Sequence, residues 1–451
     1  MISMHDLQKK VLFISYIFPP IGGSGVQRNL KYVKYLPRTG WQPLVITVKD
    51  VISHSHDYSL LDEIPADAVI VRTESVDPFR IGGILRRQKN SKQVGSPDSQ
   101  PRVNEFRLPA PLIKVFRTAR SFVAFPDSVV GWMPFVIAAG IKLFRQHHFQ
   151  VIFARSVPYT GAIAALLLSK LTRRPYVLDF ADGWTDDPHL NAPTVIHKKM
   201  HALLERMVVG RAHHVIVYSD NLAQKFKSRY PQIADQITVL PNGYDPEDLA
   251  GVQSIFRKDK SKQRIVYTGN LYEHQLDNFV TLLEALNRLL PHERGKIEIL
   301  FVGKVHFDAR SMVEQFGLSS IIRFLGYKTH SESLRYLASA DAALLFIKEG
   351  DITMVTGKLF EYLGMQLPII AIIEPEGLAA HILNQVSMGE MIVHPRDVEG
   401  LLQIIQRWMS KNNEIVKPQQ PQAFNRKYLT EKLATVLEDT SNQFLRIGDS
   451  C

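Results

Sequence analysis

The chain has a single cysteine, Cys451, among its 451 residues. One thiol cannot form an internal disulfide, and it excludes a structural zinc site built on several cysteines. Long apolar runs are also missing. The longest, residues 129–141, contains Pro134 and ends at Lys142, well short of the roughly 20 residues that span a bilayer. Because residues 1–10 are polar and carry no secretory signal, we expect a cytoplasmic protein with no membrane-spanning helix.

Acidic residues are fewer than basic ones: 44 Asp and Glu stand against 54 Lys and Arg, giving a net charge of +10. This balance suits nucleic acid, an anionic membrane or a polyanionic small molecule. No nucleic-acid recognition motif is present, so we expect no nucleic-acid partner. The composition, with 45% hydrophobic and 22% charged residues, is that of an ordinary globular protein.

Short apolar runs alternate with helical patterns along the chain. Buried parallel strands are predicted at residues 11–16, 43–48, 69–71, 149–153, 176–180, 214–218 and 237–240. After the turn at Pro241-Asn242-Gly243 the pattern restarts, with strands at residues 264–270, 297–302, 322–326, 342–347 and 369–373. The fold class is therefore α/β, with two doubly wound, Rossmann-like domains at residues 1–241 and 242–427. A further helix is predicted at residues 428–445.

The most informative motif is Gly357-Lys358-Leu359-Phe360-Glu361, at the start of a predicted helix. Lys358 and Glu361 are three residues apart and share one helical face. A cation in the first turn opposes the helix dipole, unless an anionic ligand docks at the same end beside the free N–H groups. Glu361, one turn further, suits the hydroxyl groups of a sugar ring. The alternative is a surface lysine paired with Glu361.

Two glycine-containing turns follow predicted strands. Gly22 and Gly23 come after the first strand, and Gly269 and Asn270 come after the first strand of the second domain. Glycine lets the backbone approach a phosphate closely. A dinucleotide fingerprint fails, because Arg28 stands at its third glycine. The alternatives are a plain strand-to-helix loop and an ordinary β-turn.

An acidic stretch and a basic stretch complete the candidates. Asp182 follows the strand at residues 176–180, where a carboxylate can orient an acceptor, act as a base or hold a metal. The acids there lack Asp-x-Asp spacing, so we predict no metal. Residues 112–122 carry Lys114, Arg117 and Arg120 among apolar residues, a pattern that suits peripheral docking on an anionic membrane. A core-packed helix is the alternative for that segment.

Together these residues resemble the family-4 glycosyltransferases of the GT-B fold. The resemblance covers nearly the whole chain and rests on Phe18-Pro19-Pro20 with Gly22-Gly23, and on residues 179–184, 240–245, 267–270 and 357–362. It implies two Rossmann-like domains facing each other across a cleft, with the nucleotide-sugar donor on the C-terminal domain and the acceptor on the N-terminal one. It also implies that helix 428–445 packs back on the N-terminal domain, and that transfer is retaining, without metal or cofactor.

The resemblance also assigns roles by position. Glu361 would bind the ribose hydroxyls, Lys358 would lie near the phosphates, and Gly22 and Gly23 would face the diphosphate. The family has a second glutamate eight residues before the position of Glu361, where this chain has Thr353. Its usual basic pair after the first strand of the second domain is replaced by residues 273–275, and we expect His274 to take that role.

The expected function is transfer of a sugar from a nucleotide sugar to a glycan or lipid-linked acceptor, in bacterial surface-polysaccharide assembly. Lipid-linked acceptors fit the basic N-terminal half and a position at the inner face of the membrane. Two alternatives share the fold. One is a nucleotide-sugar 2-epimerase, and the other is a non-catalytic scaffold, which the threonine at position 353 would favour.

Overall fold

A computed structural model describes residues 8–22, 24–49, 56–76, 121–122, 124–180, 183–187, 190, 192–256, 261–410, 417–419 and 422–448. The chain divides into two compact units. Met1–Pro241 and Leu429–Cys451 form the first, and Asn242–Tyr428 form the second. Each unit is built on one parallel sheet.

The first unit has a seven-stranded sheet in the order β3-β2-β1-β4-β5-β6-β7. Its strands are β1 (Lys9–Ile14), β2 (Trp41–Val48), β3 (Val69–Thr73), β4 (Val151–Arg155), β5 (Tyr176–Phe180), β6 (His214–Val217) and β7 (Ile237–Val239). Its helices are α1 (Ser24–Tyr35), α2 (Met133–His147), α3 (Tyr159–Thr172), α4 (Val195–Val209) and α5 (Asp220–Arg229). The strand order reverses between β1 and β4, the position at which open α/β sheets bind ligands.

The central strands of this sheet are buried on both faces, which explains why they are continuous apolar runs. Polar N-cap residues precede helices α4 and α5. The Thr194 hydroxyl accepts a hydrogen bond from His197 N before α4, and the Ser219 hydroxyl accepts one from Leu222 N before α5. Such caps satisfy N–H groups that the first helical turn leaves without a partner.

The second unit has a six-stranded sheet in the order β10-β9-β8-β11-β12-β13. Its strands are β8 (Gln263–Thr268), β9 (Ile297–Val302), β10 (Ile322–Gly326), β11 (Ala342–Phe346), β12 (Ile369–Ile372) and β13 (Ile392–Val393). Its helices are α6 (Pro246–Leu249), α7 (Leu276–Arg288), α8 (Pro291–Arg294), α9 (Ala309–Gln315), α10 (His330–Leu337), α11 (Gly357–Gly364), α12 (Leu378–Gln385) and α13 (Val398–Ser410). Here the order reverses between β8 and β11.

The last helix, α14 (Arg426–Gly448), starts at the end of the second unit and continues into the first. Leu429, Leu433 and Leu437 recur every four residues and are buried in the first unit, in the same apolar cluster as Val11 of β1. None of the helices in the described part of the chain is both long enough and apolar enough to cross a bilayer.

Candidate functional site

Helix α11, which carries the Gly-Lys-Glu motif, is anchored to the end of β8 by a buried tyrosine. The Tyr362 hydroxyl accepts a hydrogen bond from Thr268 N at 3.1 Å and lies 3.2 Å from the Thr268 hydroxyl. Tyr362 is fully buried. This contact fixes α11 beside the point where β8 ends, next to the reversal between β8 and β11.

Lys358 lies on an aromatic ring in this corner. Its Nζ donates a hydrogen bond to the Tyr267 hydroxyl at 2.6 Å and sits 4.0 Å from the centroid of that ring. Gly269 makes room for the lysine stem, because a Cβ at this position would lie 2.5 Å from Lys358 Cε. Gly269 also has a φ of +94°, so both its conformation and its surroundings favour glycine.

Tyr267 and Asn270 hold the turn after β8 in place. The Tyr267 hydroxyl lies 3.0 Å from the Asn270 carbonyl oxygen and 3.3 Å from Gln275 Oε1. Burial raises the pKa of Tyr267, so it remains a neutral phenol. Asn270 Oδ1 accepts a hydrogen bond from Lys304 N at 3.1 Å. The structure thus brings Lys358, Gly269 and Asn270 together, around a tyrosine that sequence reasoning did not single out.

The surroundings of Lys358 disfavour its charged form. Burial lowers the pKa of Lys358 to about 7, and the carboxylate of Glu361 only partly offsets this effect. An anion docked beside the amine would favour the ammonium form. Lys358 can therefore gain a full positive charge when an anionic ligand binds beside it.

Glu361 is held by a histidine. Its Oε1 lies 3.1 Å from His330 Nε2, and both side chains are about a quarter exposed, at 26% and 23% respectively. His330 is the first residue of α10, which Thr329 caps together with Glu332. Sequence reasoning missed His330, because an isolated histidine at a helix start carries no periodic or spacing signal.

His274 lies in the loop that follows Asn270. Tyr272 stacks with His274, with ring centroids 5.5 Å apart, and with His306 at 4.8 Å; the interplanar angle is 14° in both cases. Asn270 Nδ2 donates to the Tyr272 hydroxyl at 3.1 Å. We call Lys358, Tyr267, Gly269 and Asn270 the Lys358 corner. His274 is connected to it through Tyr272, which contacts Asn270.

Thr353, at the position where the family has its second glutamate, lies in an exposed turn. Asp351 Oδ1 accepts hydrogen bonds from Met354 N at 3.0 Å and Thr353 N at 3.3 Å. Glu349 pairs with Arg396 at 2.7 Å. The carboxylates of Asp351 and Glu349, which flank this position, thus both have partners within the protein.

The first unit has a cavity of about 130 Å³ where its strand order reverses between β1 and β4. Ser15, Asn29 and Arg155 are among its lining residues. Asn29 is 1% exposed; its Nδ2 donates to the Ser15 hydroxyl at 2.7 Å, while its Oδ1 has no hydrogen-bond partner among the described residues. A buried amide oxygen without a donor favours a ligand that supplies one, such as a hydroxyl group.

Gly22 lies in the loop between β1 and α1, and Gly23 lies outside the described residues. Arg28, which replaces the third glycine of a dinucleotide fingerprint, has a structural role. Its guanidinium forms a buried two-point ion pair with Asp179, at 2.7 and 2.9 Å. Burial acts to lower the pKa of Arg28, but Asp179 outweighs it and raises that pKa.

The described acids of the following loop also bind within the protein. Asp186 pairs with Arg229 at 3.0 Å, and Asp187 accepts from the Tyr159 hydroxyl at 3.0 Å. Asp182 itself lies outside the described residues, as do residues 112–120 of the predicted basic segment.

Comparisons with known proteins agree with this architecture. A family model described as Glycosyltransferase Family 4 matches residues 85–248. No curated protein matches the chain in sequence. The chain is similar to the crystal structure of a glycosyltransferase from Rickettsia africae ESF-5, with a TM-score of 0.62 and 15% identity, covering 96% of this chain and 98% of that chain.

Two further solved structures share the fold. One is a candidate UDP-N-acetylglucosamine 2-epimerase from Listeria monocytogenes, with a TM-score of 0.55, 10% identity and 96% of each chain covered. The other is S. aureus TarM in complex with Fondaparinux, alpha-GlcNAc-glycerol and UDP, with a TM-score of 0.53, 8% identity, and 97% of this chain and 98% of that chain covered. The predicted α/β fold of GT-B type is therefore confirmed, and so is the resemblance of this chain to the family-4 glycosyltransferases.

Proposed function

We propose that the chain transfers a sugar from a nucleotide-sugar donor to a glycan or lipid-linked acceptor. The observation that carries this proposal is the Lys358 corner of the second unit. There a lysine amine, a close-approach glycine and the start of α11 meet, with Glu361 one turn away. An amine and helix N–H groups suit a diphosphate, and a carboxylate suits the hydroxyls of a ribose.

In the proposed reaction, negative charge develops on the diphosphate as the bond to the donor sugar breaks. Lys358 takes up a proton when the diphosphate docks, and its ammonium then stabilises the leaving group. Asn270 holds the turn that carries Gly269, and His274 supplies a second polar group beside it. Because the Lys358 ammonium provides the positive charge, we propose that the reaction needs no metal or cofactor. We also propose that it is retaining, as the resemblance to the family-4 glycosyltransferases implies.

The first unit holds the acceptor in this proposal. Asn29 lines the cavity between β1 and β4, and its Oδ1, which has no hydrogen-bond partner among the described residues, accepts a hydrogen bond from an acceptor hydroxyl once the ligand docks. In the same proposal Gly22 and Gly23, in the loop before α1, bind a phosphate group through their backbone, and Asp182 acts on the acceptor hydroxyl as a base. The similarity to TarM, whose structure was solved with UDP, supports a nucleotide ligand. We propose that the chain works at the cytoplasmic face of a membrane, in surface-polysaccharide assembly.

The test is turnover of UDP-, GDP- and dTDP-sugars, measured as nucleoside diphosphate release with and without candidate glycan and lipid-linked acceptors. The proposal predicts release that depends on one donor and one acceptor and is lost in Lys358→Met. The matched control is Lys296→Met, which changes an exposed lysine just before β9. Equal turnover by Lys358→Met and wild type would contradict the site.

A second candidate function is 2-epimerisation of a nucleotide sugar, because the similarity to the Listeria monocytogenes structure shows that this fold also occurs in a candidate 2-epimerase. NMR of the donor incubated without acceptor separates the two functions. Isomerisation of the donor at C2 indicates the epimerase. A donor that stays unchanged when incubated alone, and is consumed once acceptor is added, indicates the transferase. A donor that binds and never turns over indicates the scaffold that Thr353 would allow.

A further inference from the structure

Over its first three turns, helix α4 of the first unit buries polar side chains and exposes apolar ones. Its inward face carries His197, His201 and Glu205, which are all 1% exposed or less. Its outward face carries Val195, Ile196 and Leu203, which are 68%, 59% and 59% exposed. A surface helix normally buries its apolar side chains and exposes its polar ones, so this arrangement needs a reason.

The buried polar side chains of α4 make several hydrogen bonds within the first unit. Trp184 Nε1 donates to His201 Nδ1 at 3.1 Å. Glu205 accepts hydrogen bonds from Thr185 N at 2.7 Å and from the Tyr230 hydroxyl at 2.6 Å, and it pairs with Arg229 at 2.7 Å. These contacts fix which face of α4 points inward. They leave Val195, Ile196 and Leu203 outside, whereas Val208 and Val209 at the end of the helix are buried.

The exposed apolar side chains are interleaved with basic ones. We define the α4 face as Val195, Ile196, Lys198, Lys199, Leu203 and Arg206, all of which are exposed. Glu205 is the only acid in α4, every residue of which is described, and it is buried. The sequence between Asp127 and Asp179, which includes helix α3 beside α4, contains neither Asp nor Glu. The face is therefore apolar and cationic.

An exposed aromatic side chain lies beside the amino-terminal end of α4. Phe122 is 43% exposed, and its ring centroid lies 4.1 Å from that of the inward-facing His197. Helix α3 packs beside α4, and its Gly161 lines the cavity between β1 and β4. The α4 face and this cavity are thus joined through one helix.

We propose that the α4 face docks the chain onto an anionic lipid bilayer. Basic side chains are attracted to anionic headgroups, while valine, isoleucine, leucine and phenylalanine side chains enter the boundary with the acyl chains. A polyanion such as nucleic acid would use the charges and leave the apolar side chains in water. The docking itself does not depend on the proposed function. Its benefit does, because docking through the α4 face would bring a lipid-linked acceptor close to the first unit.

The test is co-sedimentation of the full chain with vesicles of phosphatidylcholine alone, and with vesicles that also contain phosphatidylglycerol. We expect binding to the anionic vesicles only. The pair Lys198→Glu with Lys199→Glu should weaken it at least about tenfold, since each cation near such a surface contributes roughly a fivefold gain. Leu203→Asp should also weaken it, whereas Leu290→Asp, which changes a 55% exposed leucine of the second unit, should leave it unchanged.

Donor binding separates this inference from the proposed function. The α4 variants should keep the thermal shift that UDP gives to the wild type, which also shows that they fold, and Lys358→Met should keep vesicle binding. If the glutamate pair reduces the thermal shift through misfolding, Lys198→Gln with Lys199→Gln repeats the test. Equal sedimentation of folded α4 variants and wild type would overturn the inference. So would a wild type that ignores anionic vesicles, or one that binds nucleic acid more tightly than lipid.

Discussion

Lys358 of α11 and Tyr267 of β8 lie 91 residues apart in sequence, yet Lys358 Nζ donates to the Tyr267 hydroxyl at 2.6 Å, above a ring whose centroid is 4.0 Å away. The same amine has a pKa lowered to about 7 by burial. The contact with Tyr267 holds Lys358 in position, and the lowered pKa leaves the amine only partly protonated near pH 7. Diphosphate binding and protonation of Lys358 are consequently linked.

This linkage predicts that nucleoside diphosphate binding takes up a proton. Above pH 7 the free lysine is mostly neutral, and the bound anion raises its pKa, so affinity falls as pH rises. Between pH 8 and 9 the Kd for UDP should weaken by up to about tenfold. Calorimetry in buffers of different ionisation enthalpy measures the uptake, which should approach one proton per ligand at pH 8. A Kd that is constant over this range would refute the linkage.

Gly269→Ala should disturb Lys358 directly. The new Cβ would lie 2.5 Å from Lys358 Cε, so the lysine stem must move away from Tyr267. We expect UDP affinity to fall at least about tenfold, corresponding to roughly 1.4 kcal/mol. Gly317→Ala is the matched control, because Gly317 also has a positive φ of +65° but has no atom within 4 Å of an added Cβ. If both variants lose affinity equally, backbone strain and not the lysine is the cause.

Glu361 should be responsible for recognising the ribose. In the wild type, UDP should bind better than 2′,3′-dideoxy-UDP, because the carboxylate accepts hydrogen bonds from both hydroxyls. Removing Glu361 should erase that preference, which we expect to be at least about tenfold for hydrogen bonds to a charged group. Competitive titration of both nucleotides against wild type and Glu361→Ala measures it. A preference that survives in Glu361→Ala would place the ribose elsewhere.

The Arg28–Asp179 pair should contribute to stability and not to donor recognition. Arg28→Met leaves Asp179 buried without its cation, and breaking such a pair costs about 3–5 kcal/mol. Glu438→Gln breaks an exposed ion pair, in which the side chains of Lys9 and Glu438 are 46% and 34% exposed. It should lower the free energy of unfolding by less than about 1 kcal/mol. Urea unfolding followed by tryptophan fluorescence compares them, since Trp41, Trp132 and Trp184 all lie in the first unit. Equal midpoints would contradict the structural role of Arg28.

Much of the fold follows from local sequence pattern. Strands β5, β9 and β10 have the bounds predicted for them, because each is a short apolar run between turn-forming or polar residues. Strand β1 begins two residues earlier than predicted and ends before Ser15, since the pairing of Lys9 with Trp41 extends it. Strand β13 was not predicted, because Ile392 and Val393 are too few to form a recognisable period.

The site was predictable only where its residues are neighbours in sequence. Lys358 and Glu361 share a helical face, and spacing alone indicates this. Their partners Tyr267 and His330 come from other elements. Tyr267 meets Lys358 because β8 lies beside β11, and His330 comes from the helix before β11. The exposure of Val195, Ile196 and Leu203 in α4 was equally out of reach, since local spacing does not show that His197, His201 and Glu205 find partners inside the first unit.

The most direct test of the account is the thermal shift that UDP-, GDP- and dTDP-sugars give to wild type, Lys358→Met and Lys296→Met. A ligand that binds only the folded state raises its melting temperature, by an amount equivalent to about 2.7 kcal/mol at a hundredfold excess over Kd. The account predicts that one of these nucleotide sugars stabilises wild type and Lys296→Met, and that Lys358→Met loses the shift. A shift of equal size in Lys358→Met would contradict the central claim that a nucleoside diphosphate binds at the start of α11.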